Sequence, residues 1–243
     1  MIPASKSRMM ETAFARANRA MLRRAFNAVL LKGRDHVEAL DRTRPIVGFG
    51  NHSCWWDGLI EFFLSRTTFG FDAFLMMDET QLERYRFFKW IGAFSVDRMS
   101  PRGAVRSIEY AARLFDRPNR ILWIYPQGVM RPNDSRPLAF EQGVARIARA
   151  LPGVQLLPVV HRYEFLREQR PDALVSFGPA VELPDGDDPK AHARFLETIL
   201  TDQLDGLRGA VARGEMHGFE KLLRGRRSTN VLYDTVRGEG MDR

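Results

Sequence analysis

A histidine and a carboxylate five positions apart, His52 and Asp57, stand in the stretch Asn51-His52-Ser53-Cys54-Trp55-Trp56-Asp57. These two residue types are what proton transfer needs. A carboxylate that accepts from one imidazole nitrogen fixes the tautomer and leaves the other nitrogen free to take a proton from a hydroxyl. The plainer alternative is a histidine satisfied beside a helix start, with Asp57 as the N-cap of that helix. Ser53 and Cys54 are nucleophile types, but one or two residues from the histidine they are poorly placed to reach it. No second histidine or carboxylate is spaced to share a metal ion with His52, so no metal is expected.

The elements on either side must hold such a pair. Pro45–Gly50 is a short apolar run that reads as a buried strand, and Gly58–Leu64 reads as the opening of a helix. Connections of this kind carry catalytic residues disproportionately, because the flanking elements are rigid. Further strands are expected at 71–77, 91–96, 121–125, 154–160 and 173–177. Helices are expected at 7–31, 79–90, 101–116, 138–150 and 189–212, with Ser100 and Pro101 as N-cap and first residue of the third. Continuous apolar strands alternating with helices imply an α/β fold: a mostly parallel central sheet flanked by helices, with an N-terminal amphipathic helical segment. The expected division is 1–33 as a basic helix, 34–223 as the catalytic domain and 224–243 as a basic tail.

Charge narrows the partners. The 243 residues carry a net charge of +7, concentrated at the two ends. Residues 1–33 hold Lys6, Arg8, Arg16, Arg19, Arg23, Arg24 and Lys32 against one acid, Glu11, while the central body is close to neutral. An apolar stripe interleaved with arginines across 7–31 suits an anionic membrane surface, and suits equally a helix packed on its own domain with a solvated basic face. No base-reading motif or aromatic platform points to nucleic acid. One cysteine rules out an intrachain disulfide, no apolar run reaches 18 residues, and no secretory signal opens the chain. A peripheral protein at the cytoplasmic face of a membrane is expected.

Four blocks in order resemble the glycerolipid acyltransferases, the superfamily that includes 1-acylglycerol-3-phosphate acyltransferases. His52 and Asp57 match the H-x4-D block, and Phe94-Ser95-Val96-Asp97-Arg98 resembles the second. Tyr125-Pro126-Gln127-Gly128 resembles the third, usually F-P-E-G-T-R, and Leu157-Pro158-Val159 the fourth. The resemblance covers roughly residues 40–180. It implies transfer of a fatty acyl group from acyl-CoA or acyl-carrier protein, as co-substrate and without a further cofactor, to a hydroxyl of a lipid acceptor. His52 is then the general base and Asp57 its orienting partner, with Arg98, Gln127, Gly128 and Arg131 toward the substrate. Backbone N–H groups near Gly128 are candidate donors to the developing oxyanion. Trp55, Trp56, Phe62 and Phe63 are either core or the lining of an acyl tunnel.

The chain departs from that pattern in the third block. The glutamate is Gln127, the threonine Val129 and the arginine Met130, with Arg131 one place later. In the family the arginine is associated with the acceptor, where it would meet a phosphate, and a methionine cannot do that. Three alternatives follow: Arg131 substitutes through a shifted loop, Arg98 makes the contact, or the acceptor has no phosphate, and the departures favour a lipid hydroxyl other than that of lysophosphatidic acid. A thioester hydrolase using water in place of the acceptor, and a non-catalytic lipid-binding relative, are the rival functions.

Overall fold

The computed structural model describes residues 1–97, 100–166 and 168–226. Eight strands form one sheet: β1 (Ala28–Lys32), β2 (Ile46–Gly50), β3 (Asp72–Asp78), β4 (Ala93–Val96), β5 (Arg120–Ile124), β6 (Gln155–Glu164), β7 (Asp172–Phe177) and β8 (Glu220–Arg224). Their spatial order is β4-β3-β5-β2-β6-β7-β1-β8. The β4–β3, β3–β5, β5–β2, β2–β6 and β7–β1 pairings are parallel; β6–β7 and β1–β8 are antiparallel. The α/β expectation of a mostly parallel sheet flanked by helices therefore holds.

Seven α-helices accompany these strands among the described residues: α1 (Arg8–Ala25), α2 (Arg34–Glu38), α3 (Trp56–Phe63), α4 (Glu79–Arg84), α5 (Pro101–Arg113), α6 (Gly143–Arg149) and α7 (Pro189–Ala212). Side chains that alternate along each strand divide the interior into two layers. Val47, Phe49, Leu122, Ile124 and Leu156 pack with α5, α6 and α7 on one face. Ile46, Ile121, Trp123, Leu157 and Val159 pack with the helices before β3 on the other. Every residue of β2 is buried, as a central parallel strand covered on both faces must be.

The order of the strands determines where the sequence blocks meet. Phe49 lies opposite Ile124 of β5 and Pro158 of β6, all three strands running the same way. Their C-terminal ends therefore emerge along one edge, and the chain passes from β5 across β2 to reach β6. Ligands of open α/β sheets bind outside the carboxyl ends of strands at such a crossing. His52 follows β2, Gln127 follows β5, and β6 itself carries His161 and Tyr163 to the same edge.

Several local expectations need correction. The segment 7–31 is not one helix: α1 ends at Ala25, and Ala28–Lys32 is a strand between β7 and β8. A run such as Ala-Val-Leu-Leu has no periodicity that separates a buried strand from a buried helix, and partners 144 and more residues away decide it. The apolar side of α1 packs on the domain, with Leu22 in the core, Phe14 edge-on to Phe62 at 5.1 Å, and Asn18 Nδ2 donating to Leu59 O at 2.8 Å. The helix expected over 79–90 breaks at Tyr85 into α4 and a 3₁₀ turn, Arg86–Ile91. Phe88 and Ile91 are three apart and both buried, and three-residue turns place i and i+3 on one side. Of 138–150 only Gly143–Arg149 is helical, and α3 continues as a π-helical stretch, Leu64–Phe69. Ser100 does cap α5, accepting from Gly103 N–H at 3.1 Å, and α7 spans the 189–212 expected of it.

Candidate active site

The loop between β2 and α3 folds around the Asp57 carboxylate. Oδ2 accepts from His52 Nδ1 at 2.8 Å, from Ser53 N–H at 2.7 Å and from Cys54 N–H at 3.0 Å. Oδ1 accepts from the Tyr163 hydroxyl at 2.5 Å. Asp57 lies in the first turn of α3; it is not the N-cap, which is Trp55 and makes no side-chain cap bond. The Asp57 side chain is fully buried while that of His52 is 19% exposed, so the pair presents imidazole, not carboxylate, to solvent. With Nδ1–H directed at Asp57, Nε2 is the nitrogen left to accept a proton. Burial opposes ionisation of Asp57, but the bonds from His52 and Tyr163 outweigh it, and its carboxyl sits below the usual range.

The imidazole is also held from behind. Its ring stacks on Tyr125 with centroids 4.3 Å apart and planes 12° from parallel. The Tyr125 hydroxyl donates to Glu61 Oε2 at 2.6 Å. The Gln127 side chain is buried, and its Oε1 accepts from His52 N–H at 2.6 Å; the His52 carbonyl in turn accepts from Arg131 N–H at 2.8 Å. Asn51 Oδ1 and Nδ2 bracket the backbone of His161 on β6 at 2.8 and 2.9 Å. His161 Nε2 lies 3.7 Å from Glu61 Oε1, beyond hydrogen-bond reach. Burial pushes the Glu61 carboxyl well above its usual 4.5 and pushes the His161 imidazole below its usual 6.5, so both favour their neutral forms.

A cavity of about 1020 Å³ opens at this edge. His52, Trp55, Phe62, Tyr125, Gly128 and Met130 line it, and most of its remaining wall is apolar. Of the four aromatics flanking the dyad, Trp55 and Phe62 reach the cavity whereas Trp56 and Phe63 pack with the core. The structure thus brings His52, Asp57, Gln127 and Gly128 together. Gln127 faces the His52 backbone, and Gly128 N–H is taken by Tyr125 O at 3.0 Å. Arg131 is exposed and outside the cavity lining, and Arg98 lies outside the described residues. Sequence reasoning quoted Tyr125 in the third block without giving it a role, and overlooked Glu61, His161 and Tyr163. Glu61 had a signal, since it follows Asp57 by one helical turn; Tyr163, 106 residues from its partner, had none.

A family model described as Acyltransferase matches residues 30–162, more than half of the chain and a span that includes His52, Asp57, Glu61, Tyr125, Gln127 and His161. The chain belongs to the Acyltransferase family. Among solved structures, this acyltransferase is similar to PlsC, the 1-acyl-sn-glycerophosphate (LPA) acyltransferase of Thermotoga maritima. The TM-score is 0.58 at 13% identity, over 82% of this chain and 78% of that one, a likeness of fold. The ATPase DotB of Legionella pneumophila aligns at a TM-score of 0.30 with 12% identity, over 98% of this chain and 64% of that one, and carries no argument. No curated protein matches the acyltransferase sequence.

Proposed function

We propose that this acyltransferase moves a fatty acyl group from an acyl thioester, acyl-CoA or acyl-carrier protein, to a lipid hydroxyl, working from the surface of a membrane. The single feature that carries the reading is the His52–Asp57 pair at the mouth of an apolar cavity large enough for an acyl chain. His52 Nε2 takes the acceptor's hydroxyl proton as its oxygen attacks the thioester carbon. The tetrahedral intermediate collapses with loss of the C–S bond, and the departing thiolate takes the proton back from the imidazolium. Asp57 keeps Nδ1 as the donor nitrogen and stabilises the imidazolium. Gln127 and Tyr125 hold the imidazole in place through the backbone bond and the stacked ring.

An oxyanion needs donors that are free. The N–H groups of Val129 and Met130, one and two residues past Gly128, have no acceptor among the described residues, and both residues line the cavity. A covalent route through Cys54 is disfavoured, because burial and the neighbouring Asp57 charge raise its thiol to about 11 and leave almost no thiolate at neutral pH.

The membrane reading rests on one surface. Arg8, Arg16, Arg19, Arg23 and Arg24 of α1 are exposed, and Met9, Phe87 and Trp90 beside them are exposed apolar side chains. Phe14 of α1 touches Phe87, and Ser7 N–H donates to Trp90 O, so the exposed apolar side chains belong to a segment packed against the helix that carries the arginines. None of the described helices is long and apolar enough to cross a membrane.

The deciding experiment is thiol release from acyl-CoA and acyl-carrier protein with a panel of lipid acceptors, comparing wild type with His52→Ala. A lost general base should lower acceptor-dependent release by about 10²–10⁴-fold in a folded variant. Release that needs no acceptor would instead identify a hydrolase, and release unaffected by the substitution would end the reading.

A further inference from the structure

The position at which the family carries an arginine is Met130, a cavity-lining residue 52% exposed, and Arg131 stays outside the lining. The cavity nevertheless has cations. Arg146 of α6 and Lys190 and Arg194 of α7 line it together with His52, and Lys190 and Arg194 are one helical turn apart on the same side of α7. Neighbouring arginines on these two helices are neutralised: Arg149 pairs with Asp187, and Arg208 lies 3.6 Å from Asp134. The three that face the cavity form no ion pair among the described residues. Among the described residues the Arg146 side chain bonds only Gln142 Oε1, at 2.9 Å, at the N-cap of its own helix. Glu141 is the carboxylate on this side of the lining. The first turn of α7 adds little as a helix end, since residue 189 is proline and Asp188 accepts Lys190 N–H at 2.8 Å. The charge here comes from side chains.

Three unpaired cations at one side of an otherwise apolar chamber are arranged for a substrate with an apolar chain and a phosphate. We propose that Arg146, Lys190 and Arg194 form the phosphate-binding subsite of this enzyme, taking the role that Met130 cannot perform. This rests on the transferase reading above. The phosphate is that of the thioester donor or that of the acceptor lipid, and the two sources are separable by experiment.

The test is the triple variant Arg146→Gln/Lys190→Gln/Arg194→Gln, with Arg149→Gln as a charge control on the same helix. Binding is measured by calorimetry in a His52→Ala background, which needs no turnover. The probes are CoA against pantetheine, and lysophosphatidic acid against monoacylglycerol. Neutralising three charge-assisted contacts should weaken the phosphate-bearing member of one pair by about 10-fold or more, leaving its phosphate-free counterpart unchanged. Loss confined to CoA places the donor's phosphate here, and loss confined to lysophosphatidic acid places the acceptor's. If neither phosphate-bearing probe binds the parent better than its counterpart, or if the triple variant binds all four as the parent does, the proposal is overturned. Failure of the transferase reading would show separately, as absence of ester product from the wild-type enzyme with every donor.

Discussion

At the scale of single residues, two carboxylates one helical turn apart on α3 are pushed in opposite directions. Asp57 has four short donors and is held ionised; Glu61 has one, the Tyr125 hydroxyl, in a fully buried setting that raises its pKa well above 4.5. Environments that separate two like groups in this way are how one site keeps a charged partner and a neutral one. The sign of the resulting pH dependence follows directly. Between the unfolded pKa of Glu61 and its raised folded value the native state holds a proton that the unfolded chain has released, so that contribution to stability is complete below about 4.5 and is lost as pH rises. Asp57 acts oppositely, contributing above its unfolded value and losing that contribution in acid. Glu61→Gln keeps an acceptor for Tyr125 and removes the ionisation. Urea unfolding should therefore show the variant gaining on wild type by about 1.4 kcal/mol per pH unit above about pH 5, up to the folded pKa of Glu61. A constant difference from pH 5 to 8 would mean that Glu61 is not protonated in the native state.

At the scale of elements, β2 and β5 act as a clamp whose ends carry His52 and Tyr125. Gly48 lies opposite Trp123 across that pair, and a Cβ on Gly48 would fall 2.1 Å from the indole ring. Trp123 cannot retreat freely, because its Nε1–H donates to Ser65 Oγ at 2.8 Å inside the core. Gly48→Ala is thus an overpacking substitution, expected to cost about 1–3 kcal/mol and to lower Tm by several degrees in thermal unfolding. An unchanged Tm would show that the strands can part at this point. The same pair illustrates what was legible beforehand. Ile46–Gly50 and Arg120–Ile124 are short, apolar and flanked by turn residues, so both strands could be read from their own residues. That they are adjacent, with β6 on the other side of β2, is written in no local pattern.

At the scale of the molecule, α1 belongs to the folded body and to its surface at once. Its apolar side packs against α3 and the turn at 86–91, while its arginines face outward. Deleting residues 7–31 would remove most of β1 from the sheet and uncover Leu22 and Phe14 contacts, so charge removal is the cleaner test of membrane binding. Arg16→Gln/Arg19→Gln/Arg23→Gln/Arg24→Gln is expected to reduce sedimentation with anionic vesicles by about 10-fold or more, with little change for zwitterionic ones. Thiol release with soluble short-chain substrates should be preserved. Equal binding by the variant would remove α1 from the membrane contact.

By itself the sequence determined what is local in the chain: strand and helix character, the His52–Asp57 spacing and the order of four blocks that marks the family. The tertiary structure decided everything that depends on residues distant in the chain. It made Ala28–Lys32 a strand, brought Tyr163 to Asp57 and Gln127 to the His52 backbone, and set Tyr125 on Glu61. It also gathered Arg146, Lys190 and Arg194 onto the cavity that His52 lines. The physical reason is the same throughout. Parallel strands gather their C-terminal ends along one edge whatever their separation in sequence, and burial there, not residue type, determines which polar groups are charged, which are neutral and which are left facing a substrate.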